Sequence, residues 1–247
     1  GSQPSAGLLQ ASDGALYGTA YFGGLSGNGD GTVFRITTNG VLTVLATFLG
    51  GDDGANPGSR LVQGRDGALY GTTTLAGINA YGVVSQGTLF RLTMEGAFTT
   101  LVPFVGTNGT SPAADLMLGN DGAIFGTTFG GGAGNAGTIF RVGTNGTFST
   151  FVSLIITNGQ APQSALLQAK DGVWYGTTTS GGTGGAGTVF RLGTNGSLTT
   201  LVAFNGTNGA SPHAALTLGS DGSVYGVTAY GGASNCGTVF KLTTEGN

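Results

Sequence analysis

Acid–base, nucleophilic or metal chemistry needs reactive side chains that converge, and this 247-residue chain offers few of them: 11 carboxylates, eight Lys or Arg, one histidine and one cysteine. His213 is the only imidazole, and with no carboxylate or Cys beside it in sequence it reads as a surface or capping residue rather than a base or ligand. Five carboxylates, Asp13, Asp66, Asp121, Asp171 and Asp221, open Asp-Gly turns, while Glu95 and Glu245 take a hairpin slot held elsewhere by Asn39, Asn145 and Asn195. That leaves Asp30, Asp52, Asp53 and Asp115. Asp30 and the Asp52-Asp53 pair stand in Gly-rich loops without the spacing of a calcium loop, so no metal is expected there. Cys236 replaces Ala136 and Ala186 of sister segments and reads as a small buried or loop residue; a lone thiol also excludes an intrachain disulfide. The Gly-rich stretches are not phosphate loops, because no helix follows them and no Lys-Ser/Thr pair closes them. No cofactor is expected.

The elements that must position these groups are written five times. Asp-Gly-x-aliphatic-aromatic-Gly begins at Asp13, Asp66, Asp121, Asp171 and Asp221, and Gly-Thr-aliphatic-Phe-basic begins at Gly31, Gly87, Gly137, Gly187 and Gly237. A proline stands nine residues before each Asp: Pro4, Pro57, Pro112, Pro162 and Pro212. The last three copies keep a period of 50. In the fourth copy, Ser164–Gln168 predicts a short strand, Asp171-Gly172 a tight turn, Val173–Thr178 a second strand and Thr188–Leu192 a third. Asn195-Gly196 then predicts a hairpin, and Leu198–Phe204 a fourth strand. Four antiparallel strands per 50 residues, with no helical period, predict an all-β, five-bladed β-propeller with repeats at about 4–48, 57–104, 112–154, 162–204 and 212–247. The repeats leave no residues for a second domain. The last blade should lack its outermost strand, and its third strand, Thr238–Leu242, should be an open edge.

With the repeat subtracted, variation concentrates in two places. Eight residues before each Asp stand Ser5, Gly58, Ala113, Gln163 and His213, and six before stand Gly7, Arg60, Asp115, Ala165 and Ala215. At the start of the innermost strand, these positions would line the mouth of the axial channel, where His213, Gln163, Arg60 and Asp115 are candidate ligand-binding residues. Arg60 and Asp115 hold equivalent slots in adjacent blades and should approach each other closely enough to pair, within salt-bridge reach. The second place is the start of the connector between second and third strands, where Tyr21, Phe22, Phe129 and Tyr230 are candidate stacking residues. Trp174, in a slot otherwise held by Leu16, Leu69, Ile124 and Val224, reads as core filling. The row Arg35, Arg91, Arg141, Arg191 and Lys241 should lay aliphatic stems on the second-strand aromatics, with an oxygen acceptor at each tip.

Tyr175-Gly176-Thr177-Thr178, then Gly181-Gly182, then Gly187-Thr188-Val189-Phe190-Arg191-Leu192 resembles the GloVer tandem repeat, and the match recurs in all five units with longer connectors at 21–30 and 74–86. The resemblance implies a bacterial secreted or surface-associated protein of the kind that carries varied C-terminal anchors. It implies no activity.

Composition narrows the partners. With 8% charged residues and a formal net charge of −3, the chain has no electrostatic footprint for nucleic acid, and no apolar stretch approaches a membrane span. Gly1-Ser2 has the look of a cloning remnant, so a native leader or anchor would lie beyond it. The sequence therefore predicts a non-enzymatic extracellular binding or display module, monomeric or a weak edge-mediated homodimer, with carbohydrate as the first ligand class. The alternatives are a structural spacer and, third, a propeller hydrolase or lyase using His213, Asp115 and Arg60.

Overall fold

A computed structural model describes residues 1–24, 29–75 and 86–243. Among them the chain forms five antiparallel sheets, the blades of a five-bladed propeller, and within each sheet the strands neighbour one another in chain order. Blade 1 holds β1 (Leu9–Gln10), β2 (Leu16–Ala20), β3 (Thr32–Ile36) and β4 (Leu42–Thr47). Blade 2 holds β5 (Val62–Gln63), β6 (Leu69–Thr73), β7 (Thr88–Leu92) and β8 (Phe98–Pro103). Blade 3 holds β9 (Met117–Leu118), β10 (Ile124–Thr128), β11 (Thr138–Val142) and β12 (Phe148–Ser153). Blade 4 holds β13 (Leu167–Gln168), β14 (Trp174–Thr178), β15 (Thr188–Leu192) and β16 (Leu198–Ala203). Blade 5 has three strands, β17 (Thr217–Leu218), β18 (Val224–Val227) and β19 (Val239–Leu242), as the sequence predicts. Glu245 lies outside the described residues, as do most of the 74–86 connector and residues 25–28.

One expectation is corrected. The innermost strand, predicted over Ser164–Gln168, pairs only through Leu167 and Gln168, and its counterparts are equally short. Ala161 takes φ of +58° and Pro162 has no N–H, so the chain enters the blade obliquely. Ser164 then bonds to the Thr177 hydroxyl at 2.9 Å instead of extending the ladder.

The core lies between blades rather than within them. Tyr17, Val33 and Phe48 on the trailing side of blade 1 meet Leu61, Leu69, Phe90 and Leu92 on the leading side of blade 2. The same two sets recur between blades 2 and 3, 3 and 4, and 4 and 5. Both sides of β6, β10 and β14 are therefore covered, which is why these strands show no hydrophobic alternation. Two backbone devices lock each joint. The residue before proline donates its N–H to the previous blade, as from Asn56 to Asp30 O at 2.7 Å and from Ala161 to Ala136 O at 2.9 Å. The proline ring then covers the glycine that opens the previous blade's third strand: a Cβ on Gly87 would stand 2.6 Å from Pro112 Cδ, and one on Gly137 2.8 Å from Pro162 Cδ.

Within blades 2 to 5, buried threonine hydroxyls join second and third strands, as in Thr128 to Thr138 and Thr178 to Thr188, each 2.8 Å. In blade 1 Ala20 replaces the first threonine. The Thr32 hydroxyl there is buried without a partner.

Candidate functional site

The Asp-Gly turns place a carboxylate identically in every blade. Each Asp accepts its own turn's amide two residues on, at 3.0 to 3.2 Å from Ala15, Ala68, Ala123, Val173 and Ser223. The other carboxylate oxygen pairs with the third-strand cation: Asp13 with Arg35, Asp66 with Arg91, Asp121 with Arg141 and Asp221 with Lys241, at 2.8 to 2.9 Å. Arg35, Arg141 and Lys241 also stand 5.7 to 6.0 Å from the rings of Tyr17, Phe125 and Tyr225. Partial burial raises the Asp13, Asp66 and Asp121 carboxyls, but the arginine hydrogen bonds and turn amides outweigh it and hold all three below the usual carboxylate range. At Asp221 the Lys241 ammonium leads in the same direction.

At the axial mouth the structure brings the predicted residues together in pairs. His213 Nδ1 lies 3.3 Å from Gln163 Oε1, joining blades 5 and 4. The Arg60 backbone N–H donates to Asp115 Oδ1 at 2.7 Å, so the expected approach of these residues occurs through the backbone. The Arg60 guanidinium turns the other way and donates from Nε to Leu8 O at 3.2 Å. Its stem passes beside Gly7, where a Cβ would be 3.5 Å from Arg60 Cδ, an ordinary contact. Of the connector aromatics, Phe22, Phe129 and Tyr230 are exposed, while Tyr21 is half-buried and packs edge-on to Phe22 at 4.7 Å. Asp30, Asp52 and Asp53 do not join this set. The Asp53 carboxyl is pushed up by burial and by Asp52 beside it, and Asp30 Oδ2 is buried without a partner. Among the described residues no group of three His, Cys, Asp or Glu is placed to hold a metal.

The opposite face, where the Asp-Gly turns lie, carries a site that the sequence reading missed. A cavity of about 430 Å³ opens between blades 3 and 4, with Phe125, Phe151 and Trp174 as its floor and Asn120, Asp121, Arg141, Ser149, Gln168 and Thr194 around it. Trp174 is only 2% exposed and packs on Phe125 at 4.6 Å, so it is core as expected, with its edge forming part of the floor. The corresponding cavity between blades 2 and 3 measures about 20 Å³. One contribution to the difference is the residue before each Asp. At the smaller cavity Arg65 fills the space, its Nη2 bonding to Asn120 O in the next blade and its stem lying over Gly122. One joint further, Asn120 takes that slot and is too short to cross, so its N–H meets Gln168 Oε1 at 2.9 Å and the space stays open. The series Ser12, Arg65, Asn120, Lys170, Ser220 was the available signal, hidden beside an unvarying Asp-Gly.

Comparison with known proteins bears on all of this. Superposable solved structures include the gluconolactonase XC5397 of Xanthomonas campestris (14% identity, 89% of this chain and 67% of that one, TM-score 0.53). They also include the periplasmic gluconolactonase PpgL of Pseudomonas aeruginosa (18% identity, 98% and 72%, TM-score 0.53). A third is the extracellular domain of the one-component system BT4673 of B. thetaiotaomicron (12% identity, 95% and 26%, TM-score 0.57). None of the curated proteins matches this chain by sequence. At these identities the likeness is one of fold. It overturns the expectation of a non-enzyme, which rested on the lack of a converging catalytic set, because two of the proteins that share this fold are gluconolactonases. No helix among the described residues is long and apolar enough to cross a membrane. The model of the Gloeobacter/Verrucomicrobia repeat matches residues 1–86 and 79–247, the family that the five motif copies resemble, and the chain belongs to it.

Proposed function

We propose that this propeller binds a saccharide outside the cytoplasm, seating a sugar ring in the cleft between blades 3 and 4. The observation that carries the reading is the composition of that 430 Å³ space, an aromatic floor of Phe125, Phe151 and Trp174 under a polar rim. Sugar rings present apolar C–H faces and a hydroxyl edge, so they match an aromatic floor with paired donors and acceptors around it. The Arg141 guanidinium and the ionised Asp121 carboxylate, 2.9 Å apart, offer such a pair beside Gln168, Ser149 and Thr194.

Trp174 is the chain's single tryptophan, so its fluorescence reports on this cleft alone. Titration with a panel of mono- and oligosaccharides should change that emission for at least one class. Asn120→Arg, which restores the filling residue of the neighbouring joint, should abolish the change while leaving the melting temperature intact. A flat response across the panel, or a response indifferent to Asn120→Arg, refutes the cleft as the seat.

A second reading rests on the axial mouth, where His213 meets Gln163 and Arg60 meets Asp115, and on the exposed Phe22, Phe129 and Tyr230. There the ligand would cross the channel entrance, and His213→Ala with Asp115→Ala should weaken binding without altering the Trp174 response.

A further inference from the structure

Of the eight Lys and Arg side chains, four pair with the Asp-Gly carboxylates, and Arg60 and Arg65 bond to backbone carbonyls. The remaining two, Lys170 and Arg191, make no ion pair or side-chain hydrogen bond among the described residues. Both belong to blade 4, and both lie on the side that faces blade 5. Arg191 pairs in register with Tyr175 and alternates with Val189, two residues that pack in the joint between blades 4 and 5. Lys170 lines a cleft of about 670 Å³ at the Asp-Gly end of that joint, together with Asp171, Leu218, Ser220 and Gly222. One joint back, Arg141, the counterpart of Arg191, lines the cleft between blades 3 and 4. Asp171 still accepts its turn amide from Val173 at 3.1 Å, so the turn is intact and only the pairing with the cation is missing. Across the joint, the carboxylate of the next turn, Asp221, is held by Lys241. Two cations against one carboxylate leave this side of blade 4 with one positive charge in excess, whereas the cleft between blades 3 and 4 balances Asp121 against Arg141.

We propose that the cleft between blades 4 and 5 takes the carboxylate of an acidic sugar, a uronic acid within an oligosaccharide whose neighbouring ring occupies the cleft between blades 3 and 4. The inference rests on the saccharide reading above and adds the charge of the ligand to it. A guanidinium presents two parallel N–H groups that match the two oxygens of a carboxylate, and an ammonium adds a point charge that needs no fixed geometry. Arg191 and Lys170 supply one of each. The excess of a single positive charge suits a monoanion and falls short of a phosphate ester, which carries close to two negative charges. The two clefts are separated only by the turn of blade 4: Gln168 and Gly172 line one, and Ala169, Lys170 and Asp171 the other. Gly172 at the tip of that turn carries no side chain, so a chain of sugar rings can lie across it with one ring on each side.

The test compares the trisaccharides of galacturonate, glucuronate and mannuronate with their methyl esters, which keep the sugar and remove the charge. Binding is measured by calorimetry and by Trp174 emission on the 247-residue chain and on Arg191→Gln, Arg191→Lys and Lys170→Gln. At least one acid should bind about tenfold or more tighter than its ester, the least that a hydrogen bond to a charged group contributes. Arg191→Gln should remove that preference and leave the affinity for the ester unchanged, Lys170→Gln should reduce it, and Arg191→Lys should retain part of it. Because Arg191 gives up no ion pair, Arg191→Gln should melt within about 2 °C of the parent. Should Arg191→Gln fail to fold, Lys170→Gln carries the test. Equal binding of acid and ester overturns the proposal, and so does a preference that neither Arg191→Gln nor Lys170→Gln diminishes. If neutral sugars change the Trp174 emission but no acid is preferred, the charged subsite falls and the saccharide reading stands. If an acid binds by calorimetry in an Arg191-dependent way without changing that emission, the subsite stands and the cleft between blades 3 and 4 is lost as the seat. No binding by either measurement overturns both.

Discussion

Gly176 sits in the middle of β14 with the Phe190 ring lying against its backbone. A Cβ at this position would stand 2.4 Å from Phe190 Cζ and 2.9 Å from Leu166 Cδ2. Phe190 is fully buried and Leu166 nearly so, hence neither can step aside without disturbing the joint with blade 3. Inserting a methyl group into such packing costs about 1–3 kcal/mol. The lost flexibility of glycine in the unfolded chain returns about 0.4–1 kcal/mol. The net loss for Gly176→Ala should be about 1–2 kcal/mol, a fall of roughly 2–8 °C in melting temperature for a domain of this size. Calorimetry on Gly176→Ala, Phe190→Leu and the double variant isolates the clash, since the smaller side chain should relieve it and the two costs should not add. Gly18→Ala is the internal control. Its Cβ would meet Leu8 Cδ2 and Phe34 Cζ at 2.6 Å, but Leu8 is 41% exposed and has space to move. It should cost distinctly less. Equal losses at the two positions, or no loss at Gly176, would refute the packing argument.

Asp171→Ala should lower stability by about 1 kcal/mol through loss of the Val173 amide bond, measured by urea unfolding; no change would mean that the turn holds without it. Asp13, Asp66 and Asp121 have folded pKa values below their unfolded ones, so the stability they contribute is present above about pH 4 and is lost as pH falls through the folded values. The urea midpoint should therefore decline below pH 4, and Asp66→Asn should flatten that decline. Cys236 is exposed where its counterpart Ala136 is buried, so its thiol should react stoichiometrically with a disulfide reagent in the native protein. Slow reaction limited by unfolding would show that the end of blade 5 is covered.

The blades were legible because each local choice repeats the same instruction. Asp-Gly sets the first turn, Gly-Thr-aliphatic-Phe the third strand, and proline the entry, so five copies reinforce one reading. The three-stranded last blade followed by counting. The length of the innermost strand did not, since Ser164 carries no mark that its hydroxyl will bond to Thr177 rather than leave its backbone to pair. Variation singled out Arg60 and Asp115, yet their contact runs through a backbone amide, because which way the long Arg60 side chain turns is not written in its own repeat. The cleft was hidden for a related reason. Arg65 crosses one joint and Asn120 does not cross the next, a property of two neighbouring blades that no single repeat contains.

The joints also bear on how such a chain can change length. The amide donated by Asn56, Ser111, Ala161 or Ser211 comes from three different residue types, and its acceptor is a carbonyl that any residue supplies. The proline and the glycine beneath it belong to consecutive repeats, so a duplicated period arrives with one half of each new joint already made for the other. Unequal crossing-over between repeats would add or remove whole blades without writing a new interface. Blade number in this architecture can therefore change in integer steps, while variation within a blade falls at slots that the joints do not use, such as that of Asn120.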